Sequence, residues 1–385
     1  MAKRGDKQAP NESAGFRMRS WNPRVWSGMT VSGLFGMLVR RRFAISPKRW
    51  SMVLILAPLS VMNSCLRLIQ ILVYGRRIKR TEIEHDPLFI IGHWRSGTTL
   101  LHELMVRDPR HTYPDTYHCF APNHFLVSRR LIAWWLRLLM PPRRPMDAMQ
   151  IAWENPQEDE FALCCMGVPS PYLQFAFPND REAYQPYLDM EDVPPEMVAR
   201  WKKAFVWFLK CVTLQEPKRV VLKSPPHTCR IKILLELFPN AQFVHIVRDP
   251  YEVFPSMIKT WRRLSEDQHV QVPRFEGIED HVLDTFEHMY EVFEQTRDLI
   301  DPSRFCEVRY EDLTKDPVGQ VRLIYDRLGL EEFEKVLPEL EKYAAKKAGY
   351  KKDRYQLSPD LRDRITKQWH LFIQKYDYGQ SPDAS

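Results

Sequence analysis

The stretch that most constrains the fold is a short apolar run followed directly by a polar loop with a glycine at each end. The run Leu88–Ile91 ends at Gly92, and the segment GHWRSGTTLLHEL continues from there into a helical pattern. A buried strand, a tight turn and a helix N-terminus together form a cradle for an anionic group. The frame is close to the phosphate-binding loop G-x-x-x-x-G-K-[ST], yet Thr98 stands where that loop has lysine. Arg95 offers instead a planar fork for a pair of phosphate or sulfate oxygens.

The candidate anion ligands in this loop are backbone amides, one guanidinium group and several hydroxyl groups. They belong to Gly92, Arg95, Ser96, Gly97, Thr98 and Thr99. The absent lysine is the residue that reaches the β- and γ-phosphates in P-loop NTPases. Its absence weakens the interpretation as a P-loop kinase or NTPase using ATP-Mg, which stays open as an alternative at this point.

Further apolar runs along the chain have the length and composition of buried parallel strands. They are Val220–Leu222, Gln242–Val247 and Phe305–Val308, in addition to Leu88–Ile91. Helical patterns lie between and after them at Leu100–Val106, Arg230–Leu237, Tyr251–Leu264, Glu279–Leu299, Val318–Leu328 and Asp360–Lys375. This alternation predicts an α/β protein, a three-layer P-loop-like fold with a central parallel sheet and flanking helices, whose ligand lies at the carboxyl ends of the strands. We expect residues 81–385 to form this domain and residues 1–80 to be a basic arm with an amphipathic helical extension.

The N-terminal extension carries most of the positive charge. The chain has a formal net charge of +7, and its first 50 residues hold eleven Lys or Arg against Asp6 and Glu12. The local charge there is +9, which leaves the rest of the chain slightly negative. A basic arm is suited to an anionic surface. No RNA- or DNA-binding motif accompanies it, so nucleic acid is not an expected partner.

The segment Ser51–Val73 is long enough to cross a membrane and has basic residues on both sides. Polar residues recur in it every three or four positions, at Ser60, Asn63, Ser64, Arg67 and Gln70. Such a stripe makes a helix amphipathic. We therefore expect a helix that packs on the domain or lies at a membrane surface, rather than a true span. Peripheral membrane contact through residues 1–80 follows as a hypothesis.

The cysteines and the N-terminus bear on the compartment. The seven cysteines show no metal-ligand spacing and lie mostly in apolar stretches. We expect buried free thiols in a reducing compartment and no metal site. The start MAKRGDKQAPNES has charges without a following apolar core, so it is not a secretory signal. These features predict a cytoplasmic protein, with or without membrane association.

A second candidate anion site lies in the segment HIVRDPYEVFPSMI. Arg248 ends an apolar strand, and Asp249 is placed to cap the next helix with Pro250 at its first position. Ser256 lies seven residues after Asp249, about two turns on, and so on the same face of that helix. The arginine and the serine are therefore positioned to close on one phosphate group, although a plain Asp-Pro helix start explains the same residues structurally.

Together the two elements resemble the sulfotransferases that use 3′-phosphoadenosine-5′-phosphosulfate (PAPS). The resemblance implies that Arg95-Ser-Gly-Thr-Thr99 holds the 5′-phosphosulfate and that Arg248 and Ser256 hold the 3′-phosphate. An arginine at position 95 is similar to tyrosylprotein and many bacterial sulfotransferases, whereas the cytosolic kind usually has lysine. The resemblance extends over roughly residues 85–378. It implies PAPS as the co-substrate and requires no metal.

Two other segments are interpreted through the same resemblance. Lys223, at the tip of the second strand, looks like the family's lysine that neutralises charge near the sulfuryl group. The Tyr310-Glu-Asp-Leu313 stretch also recurs in the family, and we interpret it as mainly structural. The C-terminal glycine-rich cofactor motif of the cytosolic kind is absent. The basic stretch Lys346–Tyr355 is our candidate for covering the cofactor in its place.

Transfer of a sulfuryl group needs in-line attack by the acceptor, a base for the acceptor proton and positive charge near the departing oxygen. Arg95, Lys223 and the loop amides are the candidates for that charge. The candidate bases are Asp115, His118, Glu158, Asp159 and Glu160. Histidine titrates near neutral pH without tuning, whereas a carboxylate needs burial to raise its pKa. A helix start with acids near its positive end explains residues 158–160 equally well.

The sequence does not identify the acceptor molecule. Aromatic and apolar residues around Phe120–Phe125, Trp134–Leu139 and Tyr172–Phe177 favour a hydrophobic acceptor such as a lipid, sterol or glycolipid alcohol. A carbohydrate or peptide stays open, because aromatic rings stack on sugars as well. A non-catalytic, membrane-associated nucleotide-binding protein is the remaining alternative, and the sequence does not predict an oligomeric state.

Overall fold

A five-stranded parallel sheet forms the centre of the protein in the computed structural model, which describes residues 24, 26–129, 153–347 and 355–379. Its strands are β1 Leu88–Ile91, β2 His111–Thr112, β3 Arg219–Lys223, β4 Gln242–Val247 and β5 Phe305–Arg309. They lie in the order β2-β3-β1-β4-β5, with every neighbouring pair parallel. In β1, Leu88 lies opposite Val221 on one side and Gln242 on the other. The four strands predicted from the sequence are all present, and the predicted α/β class is confirmed.

Helices connect the strands and cover the sheet. The α-helices of the described residues are α1 Val31–Arg40, α2 Trp50–Arg80, α3 Thr98–Met105, α4 Thr116–Phe120, α5 Asp159–Cys165, α6 Pro195–Gln215, α7 Ile231–Leu237, α8 Pro250–Gln268, α9 Ile278–Thr296, α10 Tyr310–Lys315, α11 Pro317–Leu328, α12 Phe333–Lys347, α13 Pro359–Gln368 and α14 His370–Lys375. Residues 125–129 are also helical. Short 3-10 helices lie at Pro47–Arg49, Pro171–Phe175, Arg181–Tyr187, Pro225–Cys229, Arg297–Leu299 and Pro302–Arg304.

Two hydrophobic cores lie on opposite faces of the sheet. Phe89 and Ile91 point into one core, beneath α6, α8 and α9, while Leu88 and Ile90 point into the other, beneath α3, α11 and α12. All four side chains are fully buried, and burial of such a side chain is worth about 1.5–3 kcal/mol. Because β1 is buried on both faces, it is an uninterrupted apolar run rather than an alternating one.

One predicted helix is broken in the structure. The pattern Asp360–Lys375 predicted a single helix, but the chain forms α13 and α14 with a break at Trp369. The Trp369 ring stacks on Phe286 at 3.8 Å between centroids, and its Nε1 donates to the carbonyl of Leu283 at 3.0 Å. Periodicity did not reveal the break, since these partners lie some 80 residues earlier in the chain.

The N-terminal helices share a third core with the α/β domain. Trp26 and Met37, together with Met52 of α2, pack against Leu173 and Phe177. Whether residues 1–80 form a unit separate from 81–385 stays a prediction. The candidate acceptor segment Trp134–Leu139 and residues 348–354 of the basic stretch Lys346–Tyr355 lie outside the described residues.

The polar stripe predicted on α2 faces the protein, except for Arg67, which is exposed. The Asn63 amide donates to the carbonyls of Ser27 and Met29, both at 3.0 Å, and its oxygen lies 3.1 Å from His124 Nε2. The Gln70 side-chain oxygen accepts from the backbone of Leu126 at 2.9 Å. Apolar side chains between Leu54 and Val73 are consequently exposed in large number, the reverse of the usual arrangement in a soluble protein, while Met52, Val53, Leu56 and Ile78 of the same helix are buried.

Pro47–Arg80 is the one helical segment among the described residues that is long and apolar enough to cross a membrane, and 28% of its most apolar window is buried. This criterion rests on length and composition only. All seven cysteines are free thiols. Six of them are buried, and Cys65, on α2, is exposed.

Candidate active site

The loop between β1 and α3 has a backbone that only glycine allows at two positions. Gly92 has a φ of +140°, and a Cβ there would lie 2.5 Å from the carbonyl oxygen of Ile246. Gly97 has a φ of +102°, and a Cβ there would lie 2.2 Å from the ring of Tyr310. The loop is therefore pressed against β4 on one side and against α10 on the other. This close packing explains the two glycines by sterics.

The same loop leads into α3, and the backbone amides of the first turn of this helix have no side-chain cap. Gly97 is the N-cap of this helix and has no side chain to satisfy the first-turn amides. The hydroxyl of Ser96 is directed elsewhere, since it donates to the carbonyl of His93 at 2.7 Å. Thr98 and Thr99 open the helix at its positive end. The predicted loop residues thus form an uncapped helix start, which is suited to an anion.

The two predicted anion sites lie side by side. The Arg95 Nε donates to Ser256 Oγ at 2.9 Å, and Arg248 Nη1 donates to the Arg95 carbonyl at 2.9 Å. Arg95 itself adopts a left-handed backbone, with a φ of +68°. Ser256 lies on α8, and Arg248 follows β4 directly, so the sheet edge and the helix bring together residues 161 positions apart.

Tyr310 connects these sites. Its ring lies beneath the Arg248 guanidinium, 4.4 Å from the ring centroid, and against Gly97. Burial raises the pKa of the Tyr310 hydroxyl, so the ring stays neutral at physiological pH. Asp249 caps α8 as predicted, accepting from the Tyr251 amide at 2.8 Å. The tyrosine that the sequence marked as structural therefore supports the arginine directly.

Glu158 and Lys223 form an ion pair at the tip of β3. The Lys223 Nζ lies 2.6 Å from Glu158 Oε1, and the two side chains are 3% and 14% exposed. The other carboxylate oxygen of Glu158 accepts from the Tyr172 hydroxyl, which in turn accepts from Trp94 Nε1 at 2.9 Å. Since Trp94 precedes Arg95 in the loop, this chain of contacts links Glu158 to the anion-binding loop.

The two acids after Glu158 are engaged in the interior. Asp159 accepts from the Ser224 hydroxyl at 2.9 Å and from His227 Nε2 at 2.7 Å. Burial raises the pKa of Asp159, but the charge and hydrogen bond of His227 outweigh that effect and hold it below its ordinary value. Glu160 pairs with Arg230 at 2.6 Å, and both side chains are fully buried. Both oxygens of each carboxylate accept hydrogen bonds from these partners, and we therefore assign both acids a structural role.

Asp115 and His118 form a reciprocal cap at the start of α4. The His118 amide donates to Asp115 Oδ1 at 2.8 Å, and the Asp115 amide donates to His118 Nδ1 at 3.2 Å. Arg129 completes the cluster, 2.6 Å from Asp115 Oδ2 and 2.9 Å from His118 Nε2. Burial lowers the pKa of His118 below its ordinary value. These hydrogen bonds join Asp115 and His118 to each other and to Arg129, and neither side chain is linked to Lys223 by these contacts.

Sequence reasoning missed some contributors to this site. The Thr228 hydroxyl accepts a hydrogen bond from the backbone amide of Gly92 in the loop, at 2.8 Å. Trp94 and Tyr172 orient Glu158, although Tyr172 was noted only as part of an aromatic segment. Phe125, Phe175 and Phe177, from the predicted acceptor-binding segments, are buried core side chains. No local signal marks any of these roles, because each depends on a contact between distant segments.

The arrangement is chemically suited to anions. It combines the guanidinium groups of Arg95 and Arg248, the Lys223 ammonium, the Ser256 hydroxyl and an uncapped helix start. Among the described residues, no group of three or more His, Cys, Asp or Glu side chains is placed to hold a metal ion. Such a donor set stabilises negative charge on phosphate or sulfate oxygens through charge-assisted hydrogen bonds.

Comparison with known proteins identifies the family of the chain. Residues 87–335 match the model of the Sulfotransferase family. The omega-hydroxy-beta-dihydromenaquinone-9 sulfotransferases Stf3 of Mycobacterium bovis and Mycobacterium tuberculosis are 45% identical over 364 residues, which cover 94% of this chain and 94% of each relative.

Solved structures agree with this result at the level of the fold. Sulfotransferase STF9 from Mycobacterium avium superposes with a TM-score of 0.69 at 18% identity, covering 91% of this chain and 92% of that one. STF1 from Mycobacterium tuberculosis H37Rv gives 0.61 at 20% identity, covering 88% and 90%. The chain therefore belongs to the sulfotransferase family and is an enzyme that transfers a sulfuryl group, rather than a P-loop kinase or a non-catalytic binding protein.

Proposed function

We propose that the enzyme takes its sulfuryl group from PAPS, with the loop Gly92–Thr99 holding the 5′-phosphosulfate and Arg248 with Ser256 holding the 3′-phosphate. The observation that carries this proposal is the contact of Arg95 with both Ser256 and Arg248. Two anion sites that share an arginine suit a ligand with two separated anionic groups. The hydrogen-bond donors of the two sites are guanidinium, hydroxyl and backbone amide groups, which suit the oxygens of a bisphosphate.

Glu158 is our proposed general base. Of the five candidates it is the one whose carboxylate lies beside Lys223 and is linked through Tyr172 to the loop. As the acceptor oxygen attacks sulfur, its proton passes to Glu158. The bond between sulfur and the bridging oxygen breaks, and its electron pair stays on the 5′-phosphate. Arg95, Lys223 and the loop amides stabilise the resulting charge, each such donor being worth about 3 kcal/mol.

Turnover and binding measurements test these roles separately. Glu158→Gln should lower turnover by about 10²–10⁴ while calorimetric affinity for 3′-phosphoadenosine 5′-phosphate is kept. Asp115→Asn is the matched control, because Asp115 is another candidate base and the substitution likewise replaces a carboxylate by an amide. Arg248→Ala should lower the affinity for the bisphosphate by roughly tenfold to a hundredfold, the cost of a charge-assisted contact.

Two outcomes would contradict the assignments. Normal turnover in Glu158→Gln, together with a large loss in Asp115→Asn or His118→Gln, would move the base to α4. Tighter binding of ATP-Mg than of the bisphosphate, or indifference to Arg248→Ala, would reject PAPS as the co-substrate.

We infer that the acceptor is a lipid alcohol. The 45% identical relatives are named for an omega-hydroxy-beta-dihydromenaquinone-9, a hydroxyl group carried by a long apolar molecule. Rings pack around Tyr172, which contacts the proposed base, with the centroid of Phe161 at 4.9 Å and that of Trp94 at 6.2 Å from the Tyr172 ring. Turnover with a hydroxylated isoprenoid quinone, compared with a soluble sugar alcohol, tests this class. Preference for the sugar would reject it.

We also propose that the enzyme attaches peripherally to the cytoplasmic side of a membrane through the outer faces of α1 and α2. Leu54 and Leu72 of α2 are 68% and 75% exposed, and Phe35 of α1 is 60% exposed. Apolar side chains recur along this outer face at Leu54, Ile55, Val61, Met62, Leu68, Ile69, Leu72 and Val73. An exposed apolar stripe of this length marks an interaction surface.

Charge favours a membrane as the occupant of this face, and the buried side of α2 argues against a span. Arg40, Arg41 and Arg42 lie at one end of the face, and Arg76 and Arg77 lie near the other. Basic residues beside an apolar helix face match the headgroups of anionic lipids. The buried Asn63 and Gln70 hold α2 on the protein, so crossing the bilayer would break their hydrogen bonds.

Cys65 is a natural reporter for this attachment because it lies on α2 and is the one exposed thiol of the seven. Vesicles of phosphatidylcholine and phosphatidylglycerol should slow its reaction with a water-soluble thiol reagent, while Leu68→Glu with Leu72→Glu should restore fast labelling. Unchanged labelling at saturating vesicle concentrations would reject the attachment. Protection that grows with protein concentration in the absence of vesicles would assign the face to self-association.

A further inference from the structure

A small cavity lies between the C-terminal end of α1 and the 3-10 helix Arg181–Tyr187. Its volume is about 170 Å³, whereas a single water needs only about 15 Å³. Arg40 and Arg41 line it together with the tyrosines Tyr184 and Tyr187, and its base is apolar. The cavity belongs neither to the PAPS site nor to the proposed base.

Both arginines are held in place without an acidic partner. The Arg41 Nε donates to the Tyr184 hydroxyl at 2.9 Å, and its guanidinium carbon lies 4.4 Å from the centroid of the same ring. The Arg40 Nε donates to the carbonyl of Gly36 in its own helix at 3.1 Å. Arg200 is close enough to influence Arg40 electrostatically. Within the part of the chain that the structure describes, no carboxylate forms an ion pair with these three arginines.

Three positive charges are concentrated at this cavity, where Arg40 and Arg200 are exposed and Arg41 is half-buried. Burial lowers the pKa of Arg40, and the charges of Arg200 and Arg41 lower it further against the opposing effect of the two tyrosines. The C-terminal end of α1 contributes only about half a negative charge, too little to balance three guanidinium groups. An anion in the cavity would be attracted by these charges and could accept hydrogen bonds from the arginines on one side and the tyrosines on the other.

We propose that this cavity binds the phosphate group of an anionic phospholipid, with Arg40 and Arg41 as its main ligands. The guanidinium groups provide charge-assisted bonds to the phosphate oxygens. Burial raises the pKa of Tyr184 to about 12, so its hydroxyl stays protonated and is free to donate. In the same chain segment as the two arginines, Phe35 and Phe43 are exposed, and their ring centroids lie 6.1 Å apart. They offer the acyl chains an apolar surface beside the headgroup site.

The inference rests on the proposed membrane attachment, and the test separates the two. Binding to vesicles of phosphatidylcholine alone, and of equal parts phosphatidylcholine and phosphatidylglycerol, is measured by sedimentation for the wild type and two double variants. Arg40→Gln with Arg41→Gln removes the cavity ligands. Arg76→Gln with Arg77→Gln removes the same charge from the far end of α2. Thermal unfolding and affinity for 3′-phosphoadenosine 5′-phosphate establish that each variant is folded.

Salt distinguishes a built site from diffuse attraction. Each surface arginine contributes about fivefold to binding of an anionic membrane at low salt, so both double variants should weaken it. At high salt the exposed charges are screened, and the control pair should then cost about twofold or less. The cavity pair should still cost at least about tenfold, because partly buried charge-assisted bonds are screened less. The single variant Arg40→Gln, which keeps the Arg41–Tyr184 contact, should show part of this loss.

Equal losses for the two double variants at high salt would overturn the cavity site while leaving the membrane attachment in place. Absence of vesicle binding in the wild type would overturn both. Inorganic phosphate, titrated calorimetrically, should bind more weakly than about 1 mM. Tight phosphate binding that disappears in the Arg40→Gln, Arg41→Gln variant would assign the cavity to the free ion and overturn the lipid assignment.

Discussion

Replacement of Gly97 by alanine tests the link between the anion-binding loop and the arginine site. The new Cβ would lie 2.2 Å from Cδ2 and 2.9 Å from Cε2 of the Tyr310 ring. Both distances are shorter than any that real Cβ atoms adopt, so the ring must move. The ring is also the platform beneath Arg248, at 4.4 Å from its guanidinium carbon. A shift in Tyr310 therefore displaces a proposed ligand of the 3′-phosphate.

The cost has two parts. A φ of +102° is strained for alanine, which adds about 1–2 kcal/mol. Overpacking against a ring that is held by its neighbours typically adds about 1–3 kcal/mol. We expect Gly97→Ala to lower the free energy of unfolding by about 2–5 kcal/mol. Gly329→Ala provides the matched control, since its φ is +62° and a Cβ there would have no atom within 4 Å.

The assay is denaturant unfolding combined with calorimetric titration of 3′-phosphoadenosine 5′-phosphate. Gly97→Ala should lose more stability than Gly329→Ala by the packing part alone, and it should lose affinity for the bisphosphate while Gly329→Ala keeps it. The double variant Gly97→Ala with Tyr310→Ala should recover part of the stability lost to the clash. Equal losses in the two glycine variants, with unchanged affinity in both, would refute the contact and the role assigned to Tyr310.

Two further predictions concern charged groups in the interior. Glu160→Gln removes the charge facing the fully buried Arg230 and should destabilise the protein by about 3–5 kcal/mol in denaturant unfolding; a change below the error of the fit would show that the pair is dispensable. For Glu307, burial raises the pKa, but the hydrogen bond and charge of His245 outweigh it and bring the pKa down to about 2 from 4.5. Because the folded pKa is the lower one, this group stabilises the protein above pH 4.5, and its contribution is lost as the pH falls toward 2. The free energies of unfolding of the wild type and Glu307→Gln should therefore differ above pH 4.5 and converge on acidification, and parallel curves over that range would contradict the assignment.

Much of the fold could be predicted because its signals are local. The run Leu88–Ile91 is apolar throughout since both of its faces are buried, and this property alone identifies it as a central parallel strand. The cap at Asp249 and the positive φ angles of Gly92 and Gly97 are likewise local backbone features, although the packing of these glycines against Ile246 and Tyr310 is tertiary. The spacing of Arg248 and Ser256 predicted a second anion site in the same local way. Each of these sequence signals lies within one turn or one loop.

The identity of the proposed base could not be predicted in this way. Five candidate bases had comparable local contexts, and the distinction between them lies in their partners. Lys223, 65 residues away in sequence, faces Glu158, while His227 and Arg230 take up Asp159 and Glu160. The sequence of the acidic run 158–160 does not predict which basic side chain each of the three acids will contact. That choice is made by the crossover that brings α5 to the tip of β3.

The sequence by itself determined the strand–loop–helix, the spacing of the arginine–serine pair and the amphipathic period of α2. Only the tertiary structure decided that Arg95 contacts both Ser256 and Arg248, that Tyr310 supports Arg248, and that Asn63 and Gln70 of α2 face inward. The physical reason is the separation along the chain of the residues that interact. Period and capping arise from neighbours along the chain, whereas the direction in which a helix face turns, and the partner that a charge finds, depend on packing between segments that the chain brings together only when it folds.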